Sequence, residues 1–131
     1  HEVVTLASII EGEALFDSER RTISSVYHNR LRKNIKLQAD PTIQYLFPDG
    51  PKTLSTKHLT ISSPYNTYIH YGLPPGPINN PGIKSIEAAL YPEDTDYLYF
   101  VAKGDGYHVF STNQSDHLKA KREYKKQKRI Q

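Results

Sequence analysis

The sequence predicts an α+β domain with a helical body, one β-hairpin and a long Gly/Pro-rich central loop lining a cleft. Three observations give the fold class. Apolar residues recur at helical spacing toward both ends; Tyr97–Val101 and His108–Phe110 flank Gly104-Asp105-Gly106; and Gly72-Leu73-Pro74-Pro75-Gly76-Pro77-Ile78 is followed by Asn80-Pro81-Gly82. Glycine opens backbone conformations that other residues resist, and proline fixes φ and removes a donor, so the third stretch reads as a rigid shaped loop. With 131 residues, 37% hydrophobic and no internal repeat, the chain is read as a single domain over 1–131 that buries a core without disulfides.

Each element follows from local pattern. Val3, Leu6, Ala7, Ile10 and Ala14 predict a helix from Glu2 to about Leu15. Asp17 or Ser18 is suited to cap a second helix, with Ile23, Val26, Tyr27 and Leu31 toward the core and Asn34 as its stop. Asp40-Pro41 reads as an N-cap with proline at the first helical position, and the turn Pro48-Asp49-Gly50-Pro51 ends that short helix. A helix is expected from about Ile83 to Leu90, then the hairpin, then a helix from about Ser115 to Arg129.

Composition excludes several chemistries. Without cysteine there is no disulfide framework, cysteine nucleophile or Cys-based zinc site. The six histidines show no ligand spacing, so no metal is expected, and neither a Gly-x-Ser-x-Gly elbow nor a phosphate cradle is present. The net charge of +3 comes from Lys119, Lys121, Arg122, Lys125, Lys126, Lys128 and Arg129. That tail reads as a solvated helix face, or as a contact with an anionic polymer or membrane surface. Carboxylates remain. On a helical wheel Glu11 falls beside Val4, Ala7 and Leu15 on the flank of the apolar stripe, whereas Glu13 lies off the opposite flank, so Glu11 is the expected buried acid. The plainer reading of Glu11 is a surface ion pair. Gly12 costs about 1 kcal/mol in a helix interior, which points to something approaching the backbone there.

Eight ordered strings then resemble one family. They are Ala7–Glu13, Asn29–Arg32, Leu37–Thr42, Tyr65–Tyr68, Gly72–Ile78, Asn80–Gly82, Tyr97–Val101 and His108–Ser111, and together they are similar to the YceG-like endolytic murein transglycosylases. The resemblance implies cleavage of peptidoglycan between N-acetylmuramic acid and N-acetylglucosamine without water, leaving a 1,6-anhydro end, with Glu11 as acid and then base and no cofactor. Family members often carry a Lys between the two glutamates and a Thr after the second, where this chain has Gly12 and Ala14. The chain opens without Met and in mid-helix, so the expectation is a catalytic domain excised from a longer protein, and the resemblance implies that this parent is membrane-anchored and extracytoplasmic. The implied partners are peptidoglycan glycan strands, with peptidoglycan synthases as candidates, no nucleic acid, and a membrane reached through a segment absent from this chain.

Sugar-binding candidates are Gln38, Tyr65, Asn66 and Tyr68, together with Gly72, Pro74, Pro75 and Gly76 of the loop. Amides hydrogen-bond hydroxyl and acetamido groups, and tyrosine faces lie against sugar rings, although each tyrosine is equally suited to core packing. Asn29 and Arg30 are expected to orient the acid or to cap their own helix. Glu13 and Asp40 are alternative carboxyls, Asp40 being also a helix cap. A noncatalytic glycan-binding module would use the same tyrosines with no need of a buried acid, and a polyanion-binding protein would rely on the tail.

Overall fold

A computed structural model describes residues 1–50 and 53–130, with the side chains of 129 and 130 excepted. Helices α1 (Glu2–Glu13), α2 (Arg20–Arg32), α3 (Asp40–Gln44), α4 (Ile83–Leu90) and α5 (Gln114–Ile130) accompany a single hairpin, β1 (Tyr99–Ala102) and β2 (His108–Ser111). Pro51 of the expected turn lies outside the described residues.

The core forms where α1 packs against α2, α3 and α4. Leu6, Ala7, Ile9 and Ile10 of α1 meet Ile23 and Tyr27 of α2, Leu37 and Ala39 before α3, and Ala88 and Ala89 of α4. The apolar residues that predicted α1 and α2 are therefore the ones that hold them together. Serines and threonines complete the interior by bonding backbone. Thr5 and Ser8 donate to the carbonyls of His1 and Thr5, and Thr42 donates to that of Ala39.

α2 begins after a 3₁₀ turn at Asp17–Glu19. Asp17 does not cap it; its carboxylate pairs with Arg20 at 2.8 Å. Asn34 adopts φ 55°, a left-handed stop that short amides tolerate, just past the end of the helix. α4 spans the residues expected of it. A 3₁₀ turn at Thr56–Thr60, which no apolar period announced, is closed by a reciprocal box between Ser55 and His58. The backbone from 61 to 82 then forms turns and bends with no regular helix or strand.

The hairpin is antiparallel, with Tyr99 opposite Ser111 and Phe100 opposite Phe110. β1 starts two residues later than the aromatic run implied. The carbonyls of Tyr97 and Leu98 are taken by Asn29 and Arg30 of α2 instead of a strand partner. α5 covers the hairpin, and its first turn is set by Asn113, whose side-chain oxygen accepts the Asp116 N–H at 2.8 Å.

Two glycines fix close approaches. Gly106 has φ +91°, and a Cβ there would lie 2.6 Å from both Leu15 and Phe16. At Gly12 a Cβ would lie 2.8 Å from the Pro41 Cβ, so the backbone of α1 touches the first turn of α3. Gly12→Ala should therefore lose stability despite alanine's helix preference, because overpacking costs about 1–3 kcal/mol against a gain of about 1 kcal/mol. Urea unfolding checks this; an alanine variant more stable than the parent would mean that α3 yields freely.

Candidate active site

Leu37, Gln38, Ala39 and Asp40 alternate buried and exposed, as an extended segment must when one face meets a core. Gln38 and Asp40 accordingly share the outward side. Gln38 is held at φ 49°, and its N–H donates to the carbonyl of Thr67 at 3.2 Å. Asp40 is the first residue of α3 rather than its cap; the N-cap is Ala39, and the Asp40 carboxylate accepts a 2.5 Å bond from the Tyr68 hydroxyl.

The Gly12–Pro41 contact brings the end of α1 to this segment, and Glu13 projects beside Asp40. A cavity of about 430 Å³ is lined by Glu13, Tyr27, Arg30, Gln38, Asp40, Tyr68 and Tyr99, and by His117 and Lys121 from α5. A second cavity, about 480 Å³, shares Glu13 and Asp40 and adds Pro41, Gln44, Tyr45, Ile78 and Asn79. The two carboxyls thus stand on the wall common to two clefts.

Burial among these groups, reinforced by the negative charge of Asp40, raises the Glu13 carboxyl from 4.5 to about 8, against the lowering effect of a long 3.4 Å bond from the Tyr27 hydroxyl. Glu13 is thus a protonated carboxyl at neutral pH, able to give up a proton. Burial also pushes the hydroxyls of Tyr27 and Tyr68 upward, so both remain hydrogen donors.

Glu11 lies elsewhere. It lines neither cavity; its Oε1 accepts the Gly82 N–H at 2.8 Å and the Ser85 hydroxyl at 3.1 Å, and Oε2 stands 3.7 Å from Arg20. The expectation that Glu11 is the more deeply buried carboxyl is corrected. The wheel measured distance from the apolar stripe of α1 alone, but the groups that desolvate Glu13 come from α2, α3 and the chain around Tyr68.

The other candidates divide. Arg30, Gln38, Asp40 and Tyr68 line the first cavity. Asn29 is buried, giving its amide hydrogens to the carbonyls of Thr95 and Tyr97, each at 2.8 Å. Asn66 is buried as well, donating to Leu59 and Ile61 and accepting the Tyr68 N–H. These amides shape the backbone that carries the cavity. Tyr65 packs against Tyr45, with ring centres 4.9 Å apart. Gly72, Pro74, Pro75 and Gly76 line neither cavity; this stretch seats on the start of α1, where the His1 ring meets the Pro75 carbonyl at 2.6 Å. The loop reaches the clefts through Tyr68 at one end and Ile78 and Asn79 at the other. Tyr99, His117 and Lys121 were missed as cavity residues because they arrive from the hairpin and α5, remote in sequence from the two glutamates.

Among the described residues, no group of His, Asp or Glu is arranged to hold a metal ion, and no helix is long and apolar enough to cross a membrane.

These features define an α+β domain with a proton-bearing carboxyl in the wall shared by two clefts. The chain belongs to the YceG-like family, whose model matches residues 1–123. It is 49% identical over 124 residues to the endolytic murein transglycosylase of Bacillus subtilis, covering 95% of this chain and 34% of that protein. It is 34% identical over 123 residues to the endolytic murein transglycosylase of Streptococcus pneumoniae, covering 89% and 22%. The crystal structure of a yceG-like protein from Listeria monocytogenes superposes with a TM-score of 0.84 at 48% identity, covering 91% of this chain and 38% of that one. The chain thus spans about a third or less of the length of the curated relatives it matches.

The raised Glu13 carboxyl has a consequence for stability. The folded chain keeps a proton that the unfolded chain releases above about 4.5, so this contribution is complete below that pH and lost as pH rises toward 8. Stability should fall across this window by at most about 1.4 kcal/mol per pH unit from this group, and Glu13→Gln should remove that part of the slope. Urea midpoints at several pH values measure it; parallel slopes in parent and variant would refute the buried, protonated Glu13.

Proposed function

We propose that the chain is the catalytic domain of an endolytic murein transglycosylase, and that Glu13 rather than Glu11 carries the proton. The observation that carries this reading is a carboxyl raised to about 8 on the wall shared by two clefts. A glycan laid through both clefts has sugars on each side of Glu13, as cleavage within a strand requires.

Glu13 donates its proton to the oxygen that links C1 of N-acetylmuramic acid to N-acetylglucosamine, and the C1–O bond breaks. The C6 hydroxyl of the same muramic acid attacks C1, a new C1–O6 bond forms, and the hydroxyl proton passes to the Glu13 carboxylate. The acid is thereby regenerated and the product ends in a 1,6-anhydro ring. One carboxyl suffices because no water is activated, unlike the paired carboxyls of hydrolytic glycosidases. Asp40 supports the step in two ways: its charge keeps the proton on Glu13 before reaction and favours positive charge developing at C1 during it. Tyr68 fixes Asp40 in place. Gln38, Tyr45, Gln44 and Asn79 supply amide and aromatic surfaces for flanking sugars.

Two of the named relatives are endolytic murein transglycosylases, which supports the substrate class. The parent protein would act outside the cytoplasm, tethered through a segment beyond this chain, and any synthase partner would be met there. A noncatalytic glycan-binding module is the competing reading, and it gives no reason to bury a protonated carboxyl.

Incubation with purified glycan strands, followed by mass spectrometry for anhydro-ended fragments, tests the reading. Glu13→Gln should lower the rate by roughly 10²–10⁴-fold with the fold retained. Glu11→Gln should keep cleaving while losing stability, because its contacts lie at the start of α4. Binding without any anhydro product in the parent would favour the noncatalytic module, and inactivity of Glu11→Gln with full activity of Glu13→Gln would return the acid to Glu11.

A further inference from the structure

The first cavity, lined by Arg30, Tyr99 and His117, has a second pole that the proton transfer does not use. Arg30 lies with its guanidinium carbon 5.0 Å from the centre of the Tyr99 ring, and the His117 ring stacks on Tyr99 at 4.9 Å. Lys121 follows His117 by four residues on α5, hence on the same face, and lines the same cavity.

This pole lacks an anion. Arg30 is 7% exposed, and its Nε and Nη1 donate at 2.6 Å to the carbonyls of Leu98 and Lys36, which are dipoles and leave the charge uncompensated. Among the described residues no carboxylate stands within ion-pairing distance of Arg30 or Lys121. The carboxyls of the cavity itself are Glu13 and Asp40 at the other pole, and His108, which also lines it, is already paired with Glu19 at 2.8 Å. The Nδ1 of His117 is buried with no hydrogen-bond partner. Burial first, then the charges of Lys121 and Arg30, hold the His117 imidazole below its ordinary range, as expected where positive charges face one another unneutralised.

We propose that Arg30, His117 and Lys121 form a subsite for a carboxylate carried by the glycan, so that the cleft selects muramic-acid-containing strands over neutral ones. The inference rests on the transglycosylase reading for its substrate class. In such a strand the carboxylate has two sources, the lactyl group on O3 of muramic acid or the peptide attached to that lactyl group. Either supplies charge-assisted hydrogen bonds to Lys121 and a partner for the field of Arg30. N-acetylglucosamine, which has neither, leaves the basic pole unpaired, and the cost of that unpaired charge becomes discrimination.

The test uses disaccharides without the scissile linkage, so that binding is read apart from cleavage. The whole chain is titrated calorimetrically with N-acetylglucosaminyl-N-acetylmuramic acid, with the same disaccharide bearing its stem peptide, and with neutral chitobiose. At least one carboxylate-bearing ligand should bind roughly tenfold or more tightly than chitobiose, and whichever does so identifies the source of the carboxylate. Lys121→Gln should shrink that advantage about threefold or more, and Lys121→Arg should restore it, which a merely structural role would not produce. Equal binding of all three ligands, no binding of any, or a uniform loss in Lys121→Gln would overturn the proposal. Selective binding by a chain that releases no anhydro product would remove the transglycosylase reading and leave the carboxylate subsite standing.

Discussion

The contact between the backbone of α1 at Gly12 and the side chain of Pro41 sets the spacing on which the rest of the site depends. Any side chain at position 12 would hold α3 away from α1, since even a Cβ would come within 2.8 Å of Pro41. With that spacing closed, the residues on either side of the contact, Glu13 and Asp40, face one another across it. Their proximity makes a chemical difference that neither has alone. Burial of Glu13, reinforced by the negative charge of the exposed Asp40 beside it, lets Glu13 keep its proton where an isolated glutamate would have lost it. The glycine thus accepts a helix-propensity cost in order to place a charge.

The opposite wall is built by a different device. At the end of α2, Asn29 and Arg30 reach across to the carbonyls of Thr95, Tyr97 and Leu98, so the chain entering β1 is fastened to α2 as well as to β2, where the Leu98 N–H donates to the Ser111 carbonyl. Tyr99 is the next residue, and this fastening carries its ring toward Arg30 and His117. The Glu19–His108 pair, with the His108 N–H also donating to Glu19 at 3.0 Å, ties the second strand to the start of α2 in the same manner. Buried polar groups of this kind contribute modestly to net stability, but leaving one unpaired costs about 1–3 kcal/mol, which discourages other placements of the hairpin.

Elements whose signals are local were legible. The apolar spacing of α4, the turn glycines of the hairpin and the left-handed stop at Asn34 all depend on near neighbours in sequence. The site was legible in composition more than in assignment. Arg30, Gln38, Asp40 and Tyr68 were recognisable as polar groups in unusual local strings, and they do meet around one cavity. Asn29 and Asn66 have the same chemistry but face backbone carbonyls, and nothing in a short string distinguishes an amide that meets a ligand from one that holds a loop. The choice between Glu11 and Glu13 was beyond local reading for a related reason. Desolvation depends on every element packed around a carboxyl, and those around Glu13 are separated from it by many residues of chain.

Two glutamates separated by one residue therefore do opposite kinds of work because the helix turns them toward different neighbours. Glu11 faces the N-terminus of α4, where a carboxylate is favoured by the helix dipole, and its acceptance of the Gly82 N–H pins the end of the long loop. That pin matters to the second cleft, because Ile78 and Asn79 lie just upstream of it and are themselves tied to α1 through Ser8. Glu13 faces α2, α3 and Tyr68, where no cation approaches its carboxyl closely enough to form an ion pair among the described residues. A carboxylate held by Arg20, Ser85 and a backbone N–H serves as an anchor. A carboxyl beside Asp40 and out of water is a poor anchor for the reason that it can release a proton and take one back.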